Sequence, residues 1–220
     1  MDNIILTKEE IIKFNNLSDE EIEKIEKQLK SGDLILSIGE DNTQERLVKT
    51  ISNSPITHLY SVLEYENIIY LLESNSLNAT TKKIPDYFYG FKKDGVRMCK
   101  FRDVFRISNT AMFLRSINQE LTEDHKKLMF EFYKLHIKKR FETNLFELWN
   151  AEKKINIFNK KSLHKFFCSE YVAEEKQFVG LMKGPENGGR ASKFYTPKDF
   201  IDWQPDDKRY TLSKPIQIKP

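Results

Sequence analysis

A thiol can attack a carbonyl only when a base stands beside it, and the base usually needs a third group to hold it in place. This chain carries candidates for all three roles. Cys168 lies in the run Lys165-Phe166-Phe167-Cys168-Ser169-Glu170-Tyr171-Val172-Ala173, where aromatic residues lead into the cysteine and a helix-like pattern follows. That order places the sulfur at the first turn of a helix, where backbone N–H groups and the helix dipole favour negative charge. Burial as a small apolar residue is the commoner fate of a free cysteine. The local sequence divides evenly between the two readings.

Four histidines are available as the base: His58, His125, His136 and His164. His125 and His136 fall on a strongly charged helical stretch, where surface positions explain them. His164 precedes Cys168 by four residues, and an extended approach carries it away from the thiol. His58 opens a strand directly after a proline-containing loop, where a side chain can be held rigidly at a sheet edge. Glu73 closes the strand that pairs with it. Counting from a turn at Glu66-Asn67, residues 58 and 73 fall roughly opposite each other, and such neighbours have Cβ atoms about 5 Å apart. Glu73 can then accept from one imidazole nitrogen while the other faces Cys168. Taken singly, Glu73 reads as a polar strand end and His58 as a satisfied histidine. Their joint order with Cys168 shifts the balance toward a site.

The elements that must position these residues are legible from periodicity. Thr7-Lys8-Glu9-Glu10 and Ser18-Asp19-Glu20-Glu21 match capping boxes. Ile22, Ile25 and Leu29 then recur at helical spacing, so an amphipathic helix is expected over 19–30. Ser31-Gly32-Asp33 stops it, and Leu34-Ile35-Leu36-Ser37-Ile38 reads as a buried strand. A short helix over 43–52 is followed by a β-hairpin, with strands at 58–63 and 68–73. Further strands are expected at 96–101 and 104–107, and a helix from after Thr122 to about Phe141. A short packed element lies within 145–161. A helix follows Cys168 to near Gly180. Gly184 to Gly189 reads as a mobile loop, and Thr196-Pro197 as N-cap and first residue of a last short turn.

Composition limits the alternatives. The chain has 220 residues, 39% hydrophobic and 12% aromatic, enough to bury a sizeable core. Its 36 basic and 33 acidic side chains are interspersed and leave a net charge of only +3, so no basic nucleic-acid face is expected. Two cysteines, Cys99 and Cys168, are too few for a disulfide framework or a cysteine zinc site. The N-terminus lacks a basic segment leading into an apolar one, and no apolar run approaches a membrane span. These features point to the cytoplasm, a reducing compartment. They leave transient contact with a lipid surface open.

The order of the candidates resembles the circularly permuted branch of the NlpC-type papain-like superfamily, which includes YiiX-like proteins and their poxvirus relatives. Four stretches carry the resemblance. Gly32-Asp33-Leu34-Ile35-Leu36 is like the opening "GD" and apolar strand. Ser54-Pro55-Ile56-Thr57-His58-Leu59-Tyr60-Ser61-Val62 is like the histidine strand and its approach. Tyr70-Leu71-Leu72-Glu73-Ser74 is like the strand that ends in glutamate. Phe167-Cys168-Ser169-Glu170-Tyr171-Val172 is like the nucleophile helix. Thr196-Pro197-Lys198-Asp199-Phe200 is like the end of these domains. Two features depart from the pattern. Tyr60 stands where a small residue is usual, which narrows access, and the charged segment 103–161 has no counterpart.

The resemblance implies an α+β fold, with an antiparallel sheet packed against the helix that carries the cysteine. It implies an N-terminal helical extension over 1–31, a catalytic domain over 32–202 with a charged helical insertion near 103–161, and a C-terminal tail over 203–220. Its chemistry is acyl transfer on an amide, ester or thioester of a peptide or lipid, through Cys168, His58 and Glu73, without a metal or organic cofactor. A reading from a different class is a binding or virion-associated module that keeps the fold with little turnover. A thiol that reacts near neutral pH distinguishes the enzyme from the module.

Overall fold

Strand β1 (Leu34–Ile38) pairs on one side with β2 (His58–Tyr65) and on the other with β5 (Ala111–Arg115), and the sheet grows outward from it. The computed structural model describes residues 17–39, 43–75, 84–91, 93–108, 110–141 and 165–219. The first capping box, the element expected within 145–161 and His164 lie outside them. β3 (Ile68–Asn75), β4 (Gly95–Lys100) and β8 (Ile216–Lys219) complete a six-stranded sheet of order β4-β3-β2-β1-β5-β8, antiparallel throughout. β6 (Arg140–Phe141) and β7 (Lys165–Phe166) form a separate small parallel pair. The architecture is therefore α+β with an antiparallel sheet.

Alternation along the strands divides the interior into two cores. Leu59, Leu63, Leu72 and Met98 face α4 (Glu123–His136) and α5 (Cys168–Phe178), which contribute Met129, Phe132, Tyr171 and Val172. Tyr60, Val62, Leu71 and Cys99 face the other way, toward α1 (Asp19–Glu26) and α3 (Phe101–Ile107), with Ile22, Phe101, Val104 and Phe105. Both faces of the central strands are covered, so five consecutive residues of β2, Leu59 to Leu63, are buried.

The β2–β3 turn uses Glu66 and Asn67 with φ of 52° and 59°. Two successive left-handed residues make the turn whose twist suits a two-residue hairpin, and that fixes the register. The Gly32-Asp33 pair has a structural reason. Gly32 has φ +96°, and a Cβ there would lie 2.9 Å from Leu121 Cδ1. Asp33 accepts from the backbone N–H of Lys30 (3.0 Å) and of Ile117 (2.7 Å), tying the start of β1 to the segment after β5. The outer edge of β4 is covered: Tyr87 N–H donates to Met98 O at 2.8 Å and Val96 N–H to Lys139 O at 3.1 Å.

Several expectations hold and others need correction. The Ser18–Glu21 capping box opens α1, which ends at Glu26 rather than 30. The helix expected over 43–52 is α2 (Thr43–Ser52). Residues 104–107 are not a strand but part of α3. Phe101, Val104 and Phe105 recur at helical spacing, and Asp103 sits in the first turn. The segment 103–161 is not wholly an insertion, because it supplies β5 between β1 and β8. Nor is 203–220 a mere tail: it supplies β8, and Arg115 Nη1 donates to Phe200 O (2.8 Å) and Trp203 O (2.7 Å) to hold its approach. The Gly184–Gly189 loop is closed, with Asn187 N–H and Gly189 N–H both donating to Gly184 O at 3.0 and 2.8 Å. Among the described residues, no helix is long and apolar enough to cross a membrane.

Candidate active site

The approach to His58 is held by short local bonds. Ile56 N–H donates to Ser54 Oγ at 3.2 Å, Thr57 N–H to Ser37 O at 2.9 Å, and Gly39 N–H to Thr57 Oγ1 at 2.8 Å. The Ser54–Thr57 stretch is thus pinned to β1, and β2 begins with His58 in a fixed place. Tyr60, two residues on and on the same face, sets its ring edge against the imidazole with centroids 4.5 Å apart. Tyr60 is itself buried.

His58 Nε2 lies 2.7 Å from Glu73 Oε2. The two are not directly opposite, as the count from the turn suggests. The pairing runs through Ser61↔Leu72; carried on, it sets Tyr60 against Glu73 and His58 against Asn75. The contact is diagonal across the strands, within reach of long side chains. With Nε2 taken, Nδ1 is the ring nitrogen left over, and Cys168 lies close enough to favour charge on the ring. The structure therefore brings the three residues together, with His58 in the middle.

Cys168 is the first residue of α5, whose N-cap, Phe167, makes no side-chain capping bond. The helical ladder begins with Tyr171 N–H donating to Phe167 O at 2.9 Å. The N–H groups of Cys168 and Ser169 lie ahead of it at the positive end of the helix. The sulfur is enclosed, with Cys168 only 6% exposed. Cys99 sits in mid-strand opposite Leu71 on the other core face. Burial pushes its thiol far above the ordinary range, more than Arg97 pulls it down.

Two groups in the site were not legible as site residues. Arg97, directly opposite Glu73 on β4, gives an Nη2 bond to Glu73 Oε1, and both side chains are 0% exposed. Asn75 Nδ2 donates to Glu73 Oε2 at 2.8 Å. Burial alone would raise the Glu73 carboxyl, but Arg97 and His58 outweigh it and hold it at about 2. Burial opposes charge on His58 too, yet Cys168 and Glu73 on its two sides push it up to about 10. An imidazolium held between two acidic partners is the electrostatic state this geometry favours.

The remaining histidines have other partners. His125 Nδ1 lies 2.7 Å from Thr122 Oγ1 at the start of α4, and His136 Nδ1 donates to Phe132 O at 2.8 Å. A cleft of about 430 Å³ between α4, α5 and the turn at 185–193, lined by Phe132, His136, Glu174 and Phe178, includes none of Cys168, His58 and Glu73.

No family model matches the chain, and no curated protein matches it. Among solved structures it is similar to the crystal structure of the metalloprotein YiiX from Escherichia coli O157:H7, a DUF1105 protein. The TM-score is 0.54 and the identity 13%, over 88% of this chain and 99% of that one. The likeness is one of fold.

Proposed function

We propose that the chain is a cysteine-dependent hydrolase or acyltransferase on a circularly permuted NlpC-type papain-like core, with Cys168 as nucleophile, His58 as base and then acid, and Glu73 as the group that orients His58. The observation that carries this is the histidine itself, which meets Glu73 at 2.7 Å through Nε2 and has Cys168 as its other acidic partner. In the first half-reaction the Cys168 sulfur attacks the carbonyl carbon of an amide, ester or thioester. His58 takes the proton of the sulfur and passes it to the leaving amine, alcohol or thiol as the scissile bond breaks, leaving a thioester on Cys168. The developing oxyanion lies near the N–H groups ahead of the α5 ladder. In the second half-reaction His58 takes a proton from water or another acceptor, which attacks the thioester and releases the acyl group and the thiol. Glu73 keeps Nε2–H in place through both steps.

The YiiX neighbour is described as a metalloprotein. The donors here do not suit a metal: among the described residues no three His, Cys, Asp or Glu side chains are grouped to hold one. Glu73 is already engaged by Arg97, Asn75 and His58.

One observation favours the binding-module reading. Cys168 is enclosed and Tyr60 packs against His58, so a substrate carbonyl has little room. Incubation with p-nitrophenyl acetate, followed by intact-mass and peptide analysis, separates the two. The enzyme reading expects an acetyl thioester on Cys168 near neutral pH, slow to form in His58→Ala and absent in Cys168→Ala. A folded wild-type protein that forms no acyl adduct on Cys168 would leave the module reading standing.

A further inference from the structure

We infer that Arg97 is a positioning residue of this site: it acts on Cys168 only through Glu73, by occupying Oε1 and so presenting Oε2, still charged, to His58. The inference rests on the catalytic reading above.

Three features support it. Glu73 and Arg97 are register partners on β3 and β4, so their approach is set by the sheet and not by flexible loops. Both side chains are fully buried, which leaves neither charge water to turn to. The division of labour on the carboxylate is clean: Arg97 bonds Oε1, while His58 and Asn75 meet Oε2. Without the guanidinium, a carboxylate in this dry position gains its proton readily, and a protonated Glu73 no longer supports an imidazolium. The groups around Glu73 are His58 and Tyr60 from β2, Asn75 from its own strand, Arg97 and Cys99 from β4, and Cys168 from α5, which reaches it through His58. Lys93, beside Arg97, is the other nearby cation. Its ammonium donates to the backbone carbonyls of Val96 and Ile137.

The sign of the effect makes the inference testable. A cation that acted on His58 directly would oppose the imidazolium, and its removal would speed thiol alkylation at acid pH. A cation that acts through Glu73 supports the imidazolium, and its removal slows alkylation. The experiment follows iodoacetamide modification of Cys168 against pH in wild type, Arg97→Gln, Glu73→Gln and the double variant Glu73→Gln/Arg97→Gln, with circular dichroism to confirm folding. Loss of one opposite charge moves such a profile by about one unit or more, so Arg97→Gln should be about tenfold slower than wild type near pH 5. In the Glu73→Gln background the same change should not slow the reaction. An equal slowing in both backgrounds, or no slowing in the wild-type background, overturns the inference. Should Arg97→Gln not fold, Arg97→Lys replaces it. It keeps the charge but not the two-pronged fork, and its slowing should likewise vanish in the Glu73→Gln background; no slowing, or persistence there, counts against the inference. His58→Ala separates the two levels. If it leaves alkylation unchanged, the catalytic reading itself fails; if it slows alkylation while Arg97→Gln does not, only the role of Arg97 fails.

Discussion

Replacing Glu73 with Gln should destabilise the fold far more than so small a change usually does. The variant keeps the shape of the side chain but leaves the guanidinium of Arg97, 0% exposed, without its counter-ion. Breaking a buried pair from one side costs about 3–5 kcal/mol. Linkage gives a second measure of the same interaction. Although burial alone would raise it, Glu73 is held at about 2 by Arg97 and His58. Against about 4.3 for an ordinary glutamate, the lowering is worth about 3 kcal/mol. The two figures describe one network and are not to be added. For a carboxyl group lowered in the native state, the unfolded chain binds the extra proton. The stabilisation is therefore full above about pH 4.3 and is lost as pH falls toward about 2. Urea denaturation of wild type and Glu73→Gln, followed by intrinsic fluorescence across this range, measures it. The gap between the two proteins should be about 3 kcal/mol near neutral pH and should narrow below about pH 4. A neutral-pH gap under about 1 kcal/mol, or one that stays constant on acidification, would refute the reasoning.

Two further outcomes follow from other buried groups. Because burial pushes the Cys99 thiol up, iodoacetamide near neutral pH should modify Cys168 well before Cys99; peptide mapping that finds Cys99 labelled first in the folded protein contradicts this. Asp33 has the opposite sign to Glu73, since burial holds it up at about 6 in spite of the hydrogen bonds it accepts from Ile117, Lys30 and Ser116. There the native protein keeps the extra proton. Its contribution to stability is full below about pH 4 and is lost as pH rises through about 6, a swing of about 3 kcal/mol. Wild type should therefore gain urea resistance relative to Asp33→Asn on acidification through that window, and a constant difference between them would count against it.

The three residues proposed here as nucleophile, base and orienting acid stand out in the sequence because each is a rare type at a telling place. Cys168 follows aromatic residues at a helix start, His58 opens a strand and Glu73 closes its partner. Arg97 was not, because a charged residue in Val96-Arg97-Met98-Cys99-Lys100 looks like the solvent side of an edge strand. Only the register, which sets it against Glu73, shows that it is buried. The same register displaces the count that put His58 opposite Glu73. The capping box at Ser18 and the N-cap at Thr196 were readable since they are local chemistry. β5 and β8 were missed because what makes them strands is pairing with distant partners. The alternation in Ile216-Gln217-Ile218-Lys219 was the signal available for β8.

The polar row of the site takes one residue from each of three neighbouring strands: His58, Glu73 and Arg97. Its alignment is therefore dictated from a distance. The Glu66-Asn67 turn lies at the far end of the hairpin, about 23 Å of strand from His58 at ordinary strand rise. It works like the pivot of a pair of callipers, in which a change at the joint shows fully at the tips. One extra residue there would slide β3 by a single step and swing Glu73 to the opposite side of the sheet, away from both His58 and Arg97, without touching any of the three. A two-residue turn with no chemistry of its own thus carries as tight a constraint on the site as the residues that compose it.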